Sequence, residues 1–413
     1  MFSESLFGLD KKGGYKVWSI TVEEVNCDSP EGLLTILHGK EGGKQTEQVE
    51  SCIIGKQGRT PYEQAVSEAE GRIKKQLDKG YRKTKEELSE VPLLAMLASD
   101  YNKVGHRIRY DCGVYVSDKL DGVRCMAKCT EDGITLESRT GQKYSLPHIE
   151  KELLAIMEVG DVLDGEIYKH GEVLQDITSA VKRTDTGKEV DKAKKKHAKS
   201  YTAAGLQQNP MGREEECERE YFDAVKIHNL RSKLEFIVFD LPASPKLFDE
   251  RMHDLENYAK GFQLEGKVKE LEYRRVGDEV HMKELHLDAV KRGYEGVMLR
   301  NSFGVYESGK RSGDLQKYKT FVDSEFLILD VLPAKDNGST LLVRNDLNKL
   351  TFNVTLGDMV SRKHQLDNKH DYIGKYLTVQ YQSRYKWTLL PQFPSGKAVR
   401  DGSVVNGEFI PCE

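Results

Sequence analysis

Lys119 closes a strand-like run and is followed at once by Leu120-Asp121-Gly122, a tight turn that can present its amine to a pocket. A lysine amine is a nucleophile only when unprotonated, which requires partial burial or cationic neighbours. Candidates for such neighbours lie downstream. Lys317 and Lys319 alternate across Tyr318, so in an extended segment both side chains point to one face. Two ammonium groups there can clamp a phosphate and favour the free amine of Lys119. Arg124, five residues after the lysine, can return to the same pocket with a planar fork suited to phosphate. Glu166 lies among Val162, Leu163 and Ile167, where an unpaired carboxylate is costly and calls for a ligand or a structural arginine. Singly, these residues read as a surface lysine, a solvated strand edge and a paired strand-end carboxylate. Only their conjunction lifts them.

The elements that must hold these groups follow from alternation. Between about residues 88 and 320, strand-like runs fall at Gly113–Val116, Arg124–Lys128, Ile134–Glu137, Val162–Tyr168, Leu234–Asp240 and Gly296–Arg300. Helices are expected at Leu146–Met157, Glu214–Lys226 and Glu279–Arg292, the second as a solvated amphipathic surface element. After Val322 the pattern turns β-rich with Gly and Pro turns, at Phe326–Leu332, Thr340–Val343 and Tyr376–Tyr381, which suits a small barrel such as an OB-fold. The start of the chain carries strand-like runs at Tyr15–Val22 and Leu33–Leu37. Turns at Gly39–Lys44 and Gly55–Arg59 precede a helix from Pro61 to about Leu77. With 413 residues, two or three domains are expected, at 1–84, 88–320 and 322–413.

Hydrophobic residues make up 38% of the chain and charged residues 31%, which fits a soluble protein with several small cores. No apolar run reaches the ~20 residues that span a bilayer. Met1–Asp10 lacks a charged region followed by an apolar one, so neither a membrane nor a signal peptide is expected. The seven cysteines are scattered. Cys125 and Cys129 lie four apart, but no second pair completes a zinc site, so reduced thiols and a cytoplasmic location are expected. The net charge of −4 conceals segregation. Arg72, Lys74, Lys75, Lys79, Arg82, Lys83 and Lys85 face only Asp78 within their stretch, and five lysines between Lys192 and Lys199 meet no acid. Such clusters favour a polyanion.

Six segments occur in a fixed order: Lys119-Leu120-Asp121-Gly122-Val123-Arg124, Asp164-Gly165-Glu166, Phe236-Ile237-Val238-Phe239-Asp240, Glu295–Arg300, Lys317-Tyr318-Lys319 and Gly396–Asp401. They resemble motifs I, III, IIIa, IV, V and VI of the covalent nucleotidyltransferases. Together with Pro92–Leu97 and Gly171–Arg183, they make residues 88–413 similar to ATP-dependent DNA ligases of compact phage or bacterial type. The resemblance implies an α+β multidomain fold, with a nucleotidyltransferase (adenylation) domain of antiparallel sheets and flanking helices and a C-terminal OB-fold β-barrel. It implies that Lys119 takes AMP from ATP, that AMP passes to the 5′-phosphate of a nick in duplex DNA, and that the 3′-hydroxyl displaces it. Catalysis would fall to Lys119, Asp121, Lys317 and Lys319. Nucleotide contacts would fall to Ser117, Arg124, Arg139, Glu166 at the ribose, Phe239 at the purine face, and Arg400. Mg²⁺ or Mn²⁺ would be held by Glu295 with Glu166. Arg400 and Asp401 would orient the pyrophosphate, with Gln392 standing where a basic residue is common. Lys182 and Arg183 would meet the DNA backbone, and the enzyme would act as a monomer in replication and repair. An RNA ligase, an mRNA guanylyltransferase and a non-catalytic DNA-binding scaffold share parts of this pattern.

The N-terminal order of strands, glycine-lysine turn, helix and closing Lys79-Gly80-Tyr81 resembles a WGR domain. The signature Trp-Gly-Arg position reads His38-Gly39-Lys40, which keeps the glycine and a positive charge but not the ring. The resemblance implies DNA contacts at Lys40, Lys44, Lys56 and Arg59. A small α+β module that only completes the fold reads these residues equally well. The Lys192–Lys199 stretch reads as DNA-facing or as a mobile solvated loop.

Overall fold

The computed structural model describes residues 1–9, 14–26, 30–52, 55, 58–90, 93–200, 213–263, 265–334, 336, 338–385, 387–405 and 408–411. The chain divides into two compact units. One is Pro92–Lys319; the other combines Met1–Val91 with Thr320–Glu413. The described residues include no helix long and apolar enough to cross a membrane.

The Pro92–Lys319 unit is built on two sheets. The first has five strands in the order Arg274–Val276, Val114–Lys119, Gly296–Asn301, Arg311–Lys319, Leu97–Asp100, with all pairs antiparallel but the last. Alternation along Val114–Lys119 sends Val114 and Val116 to one side and Ser117 and Lys119 to the other. The valines join Val297 and Leu299 against Met282 and Ala289 of the Glu279–Lys291 helix. This helix covers one face of the sheet and leaves the Lys119 face for other use.

The second sheet has six strands in the order Val268–Glu270, Glu235–Asp240, Val162–Tyr168, Val123–Thr130, Gly133–Glu137, Lys143–Tyr144, with only the first pair parallel. Its apolar face carries Cys125, Ala127, Leu163, Ile167, Phe236 and Val238 into the largest core of the molecule. Its other face carries Arg124, Asp164 and Glu166.

Two buried carboxylates tie the sheets together. Asp240 of the second sheet accepts from Arg251 Nε at 2.7 Å and Nη2 at 3.1 Å, and also pairs with Arg300 of the first sheet. Asp164 accepts both arms of Arg124, at 2.6 and 2.5 Å, and the Tyr306 hydroxyl at 2.6 Å. Tyr306 in turn accepts the Met96 N–H at 2.9 Å, which anchors the apolar run after Pro92 beside Arg124.

Two helical expectations are corrected. Lys192–Lys199 is no loop: it lies within a helix, Thr186–Ser200. The following helix runs over Arg213–Arg231 and is more than a solvated surface element, since Cys217, Ala224, Ile227 and Leu230 are buried.

At the N-terminus, strands Phe2–Leu9, Tyr15–Asn26, Pro30–Lys40 and Gln45–Cys52 form an antiparallel sheet in sequential order. Leu6, Trp18, Ile20, Leu34 and Ile36 pack with Ala65 and Ala69 of the Pro61–Asp78 helix. That helix begins with a capping box between Thr60 and Glu63, with Pro61 in its first turn. Gly80, at φ +90°, lies just past its end.

At the C-terminus, five antiparallel strands run in the order Thr351–Val354, Ser339–Arg344, Val322–Pro333, Tyr376–Tyr381, Ser395–Arg400, and a separate hairpin pairs Gly402–Val405 with Glu408–Pro411. The expected barrel is not a closed ladder among the described residues. The outer strands meet through one hydrogen bond, Gly396 N–H to Thr355 O at 3.1 Å. Thr351–Val354 is only four residues long and the chain turns away at Gly357, φ +80°, so further rungs have no partner. A side chain at 396 would lie 3.0 Å from Thr355 O and Leu356 Cβ, so glycine permits even this approach.

The cross-sheet pairing sets a stability expectation. Arg251→Ala leaves the fully buried Asp240 with one of its two arginines and should cost about 3–5 kcal/mol, the range for breaking a buried ion pair. Lys246→Ala removes an exposed pair with Asp254 and should leave the urea midpoint unchanged. Equal midpoints for the two variants would show that the buried pair adds nothing.

Candidate active site

The register of the first sheet gathers the predicted lysines. Gly296 is the cross-strand partner of both Lys119 and Lys319, and Met298 is the partner of both Ser117 and Lys317. These residues therefore share the face opposite the Glu279–Lys291 helix. Gly296, at φ +150°, would place a Cβ 2.3 Å from Tyr318 O and 2.9 Å from Lys319 Cα, so only glycine lets the Lys319 strand pass this closely. Glu295 directly precedes it, and its N–H donates to Lys119 O at 3.2 Å. Its carboxylate is shared: Lys319 Nζ donates to Oε1 at 2.9 Å and Lys119 Nζ donates to Oε2. The Glu295 side chain is only 8% exposed. Burial pushes its carboxyl up, but Lys119 and Lys319 outweigh burial and hold it below the ordinary range. Burial, then Lys319 and Lys119, press the Lys317 amine down. Asp121 is pushed up by burial and by the charge of Glu295.

The second sheet supplies the opposing groups. Glu166 is the cross-strand partner of Arg124. Gly122 of the lysine segment packs so closely that a Cβ there would lie 2.5 Å from Ile167 O and 2.8 Å from Glu166 Cγ. The turn after Lys119 thus rests directly on the Glu166 strand. Burial raises the Glu166 carboxyl to about 7, against the opposing pull of Arg124 and Lys119. Arg124, expected to offer its fork to phosphate, gives both arms to Asp164, and its guanidinium lies 4.5 Å from the centre of the Phe239 ring. Arg300 lies 5.8 Å from the same ring, which is 8% exposed. Ser117 is fully buried, and its hydroxyl has no hydrogen-bond partner among the described residues.

The remaining candidates have other surroundings. Arg139 is exposed on the turn closed by Gly141 N–H to Ser138 O. Lys182 is exposed at a helix end, and Arg183 pairs with Glu189 at 2.8 Å. Lys40 ends a strand, Lys44 is exposed, and Arg59 reaches Gln64 at 3.4 Å; Lys56 lies outside the described residues. Arg400 sits 3.8 Å from Glu325, and Asp401 3.3 Å from Lys375. Gln392 is buried and braces a loop through Ser383, so it is a structural residue in this fold. Sequence reasoning does not single out Asp164, Asp240, Arg251, Arg300 or Tyr306. Three of them sit inside the recognised segments, but their long-range partners carry no local signature. Among the described residues no three His, Cys, Asp or Glu side chains converge as a ready metal cage.

Three strands from two sheets, with Glu295 at the start of a fourth, thus deliver a lysine nucleophile candidate, a lysine pair and two largely buried carboxylates to one cleft, the arrangement of a lysine-centred nucleotidyltransferase fold. The sequence profile described as "ATP dependent DNA ligase domain" matches residues 92–319, more than half of the chain. The chain belongs to this family. It is 30% identical over 300 residues to the DNA ligase of African swine fever virus (isolate Warthog/Namibia/Wart80/1980), a match covering 67% of this chain and 61% of that protein. The chain therefore spans less than two thirds of the length of the viral relatives it matches. Among solved structures, a Lig E DNA ligase aligns with a TM-score of 0.55 at 21% identity, over 74% of this chain and 99% of that one. Pmar-Lig_Pre aligns with a TM-score of 0.58 at 19% identity, over 75% and 68%. At these identities the two structures speak for the fold.

The Glu166 environment sets a pH dependence. The folded carboxyl holds its proton up to about 7, whereas the ordinary value is 4.5. Between those values the folded state binds a proton that the unfolded chain has lost, so stability should fall as pH rises through the window. Urea unfolding from pH 5 to 8 should show this slope, and Glu166→Gln should flatten it. An unchanged slope in the variant would place the titration elsewhere.

Proposed function

We propose that the chain is an ATP-dependent DNA ligase that seals nicks in duplex DNA through a lysyl-AMP intermediate on Lys119. The observation that carries this reading is the convergence of Lys119 and Lys319 on one carboxylate, with Lys317 beside them and Glu166 across the cleft. In the first step Lys119 Nζ attacks the α-phosphorus of ATP, a P–N bond forms, the bond to pyrophosphate breaks and Nζ loses its proton. A 5′-phosphate oxygen of the nick then takes the AMP and restores the amine, and the 3′-hydroxyl displaces AMP to close the backbone. Each step is in-line transfer at phosphorus, so positioning and charge neutralisation dominate.

Lys317 and Lys319 are assigned to the charge that builds on the phosphoryl oxygens, and Glu166 to the ribose. Ser117 lies where the base would be discriminated. Arg124 and Phe239 form a support behind the pocket, and Arg139 is assigned to the DNA end. Glu295 and Glu166 are hard oxygen donors of the kind that hold Mg²⁺ through one or two carboxylates plus waters and phosphate oxygens, with the Asp121 carboxylate near Glu295 as a third, so the residues fit that ion. When bound, it would neutralise the triphosphate. Residues 322–413 are read as an OB-fold: the five-stranded order and the Met359–Asp367 helix following the third strand support this, as does the single rung between the outer strands. Residues 1–84 are read as a WGR-like module that contacts DNA through Lys40, Lys44, Lys56 and Arg59, and the enzyme as a cytoplasmic monomer.

Incubation with labelled ATP and Mg²⁺ should give a covalent adduct that survives denaturing electrophoresis and is released by acid, as a P–N bond requires, and Lys119→Ala should abolish it without loss of fold. Labelling by GTP alone would move the assignment to a guanylyltransferase, and full labelling of the variant would remove the nucleophile.

A second experiment separates the steps. Arg400→Ala should lower ATP labelling at least tenfold, because Arg400 is assigned to the pyrophosphate. Sealing of a pre-adenylylated nick should stay within about threefold of wild type, since the later steps use the Lys119 cleft. Equal losses in both assays would mark Arg400 as structural.

A further inference from the structure

The helix Thr186–Ser200 lies against the helix Arg213–Arg231, and a groove of about 1020 Å³ runs along the pair. Lys188, Lys192, Lys195 and Lys199 all line it. Their spacings of four, three and four residues put them on a single helical face, and at 1.5 Å per residue the row extends about 16 Å. Like charges at these spacings repel and weaken a helix. Four acids also line the groove, Glu189, Asp191, Glu220 and Asp223, against six basic residues, so they offset only part of that charge. Glu189 is taken by Arg183 at 2.8 Å and Glu220 by Lys196 at 2.5 Å, while Lys188 turns to Asp185 at 2.6 Å. Lys192 and Lys195 are exposed and form no ion pair among the described residues.

The row is held firmly. The His197 and Tyr221 rings stack with centroids 5.6 Å apart and planes 6° apart, and Thr186 bonds His228 across the two helices at 3.0 Å. A straight, braced row of ammonium groups beside an open groove complements an extended polyanion better than a compact one, whose charge would meet one or two lysines at most.

We propose that this helix pair is a second DNA-binding surface, on which the lysine row grips the phosphodiester backbone of duplex DNA without reading sequence. The choice of DNA as the polyanion rests on the ligase reading above; the surface itself rests on the row and its groove. Lysines aimed at phosphates position a protein on its duplex and carry no base information.

The test is fluorescence anisotropy with nicked and intact duplex over a salt series, using the full chain. Two variants are compared with wild type: the pair Lys192→Gln/Lys195→Gln, and Lys194→Gln as a control on the same helix outside the groove. The pair should weaken binding of both duplexes alike and flatten the log–log salt slope by roughly 0.9 for each duplex phosphate that is no longer neutralised. The control should match wild type, and covalent labelling by ATP should be the same in all three proteins. A pair variant with wild-type affinity and slope overturns the proposal and leaves the ligase reading standing. Equal weakening by Lys194→Gln also overturns it, because the effect would then be bulk charge rather than the groove. A wild-type protein that is labelled by ATP but binds no duplex overturns the surface together with its choice of ligand, whereas absence of labelling with duplex binding intact overturns only the ligase reading.

Discussion

The Glu295 carboxylate is the point on which the cleft depends. Three cations, Lys119, Lys317 and Lys319, stand on the two strands that flank Gly296–Asn301 in one sheet, and their mutual repulsion in a partly dry cleft would drive them apart. Glu295 answers two of them at once, one lysine on each oxygen. Its own burial would otherwise favour the neutral acid, and the lysines reverse that preference. Backbone geometry makes the arrangement possible. The Glu295 N–H is fixed to Lys119 O, and Gly296 lets the Lys319 strand approach within a distance that any side chain would forbid. Charge and covalent geometry thus demand the same residues in the same order.

A second layer supports the first. Arg124 and Asp164 flank Glu166 on its own sheet face, and the Arg300–Asp240–Arg251 cluster lies next to Phe239, with Arg300 5.8 Å from its ring. Buried ion pairs of this kind contribute modestly to net stability against apolar replacements, but they are strongly destabilising to break and so fix the relative placement of the parts they join. Here the parts are the two sheets. Arg300 extends from the strand that begins at Gly296, and Asp164 from the strand that ends at Glu166 and Tyr168. The spacing between the lysine cluster and Glu166 is therefore set by charges on the same sheet faces as the cluster itself: Arg300 shares its face with Lys119, and Asp164 shares its face with Glu166.

Much of this is legible in the chain. Strong apolar alternation locates Val162–Tyr168, Glu235–Asp240 and Gly296–Asn301 within a residue or two, and Thr60-Pro61 with Glu63 marks a helix start by its own capping chemistry. The two lysines of Lys317-Tyr318-Lys319 fall on one face as period two requires. What escapes is either polar or distant. Gln45–Cys52 is almost wholly polar and exists because it pairs with Pro30–Lys40, not because its own residues favour a strand. The Lys192–Lys199 run resembles a solvated loop by charge alone, whereas stacking of His197 on Tyr221 and burial of the partner helix hold it as a helix. Arg124 reads as a phosphate ligand because its fork suits one; its commitment to Asp164, forty residues away, has no local signature.

These ion pairs also bear on how such a cleft would work. Two of the three lysines of the cleft already have an anionic partner inside the protein, since Lys119 and Lys319 share Glu295, and the supporting Arg124 has Asp164. A triphosphate entering the cleft would exchange carboxylate partners for phosphate partners rather than create charge pairs from nothing. The net gain is then the difference between two satisfied states, which is smaller than either but nearly free of the desolvation cost an unpaired lysine would impose. On the proposed reading Lys119 would have to leave Glu295 before it attacks, so ligand binding and activation of the nucleophile would be one event. Charge satisfaction within the resting cleft would then tie the amine to substrate arrival.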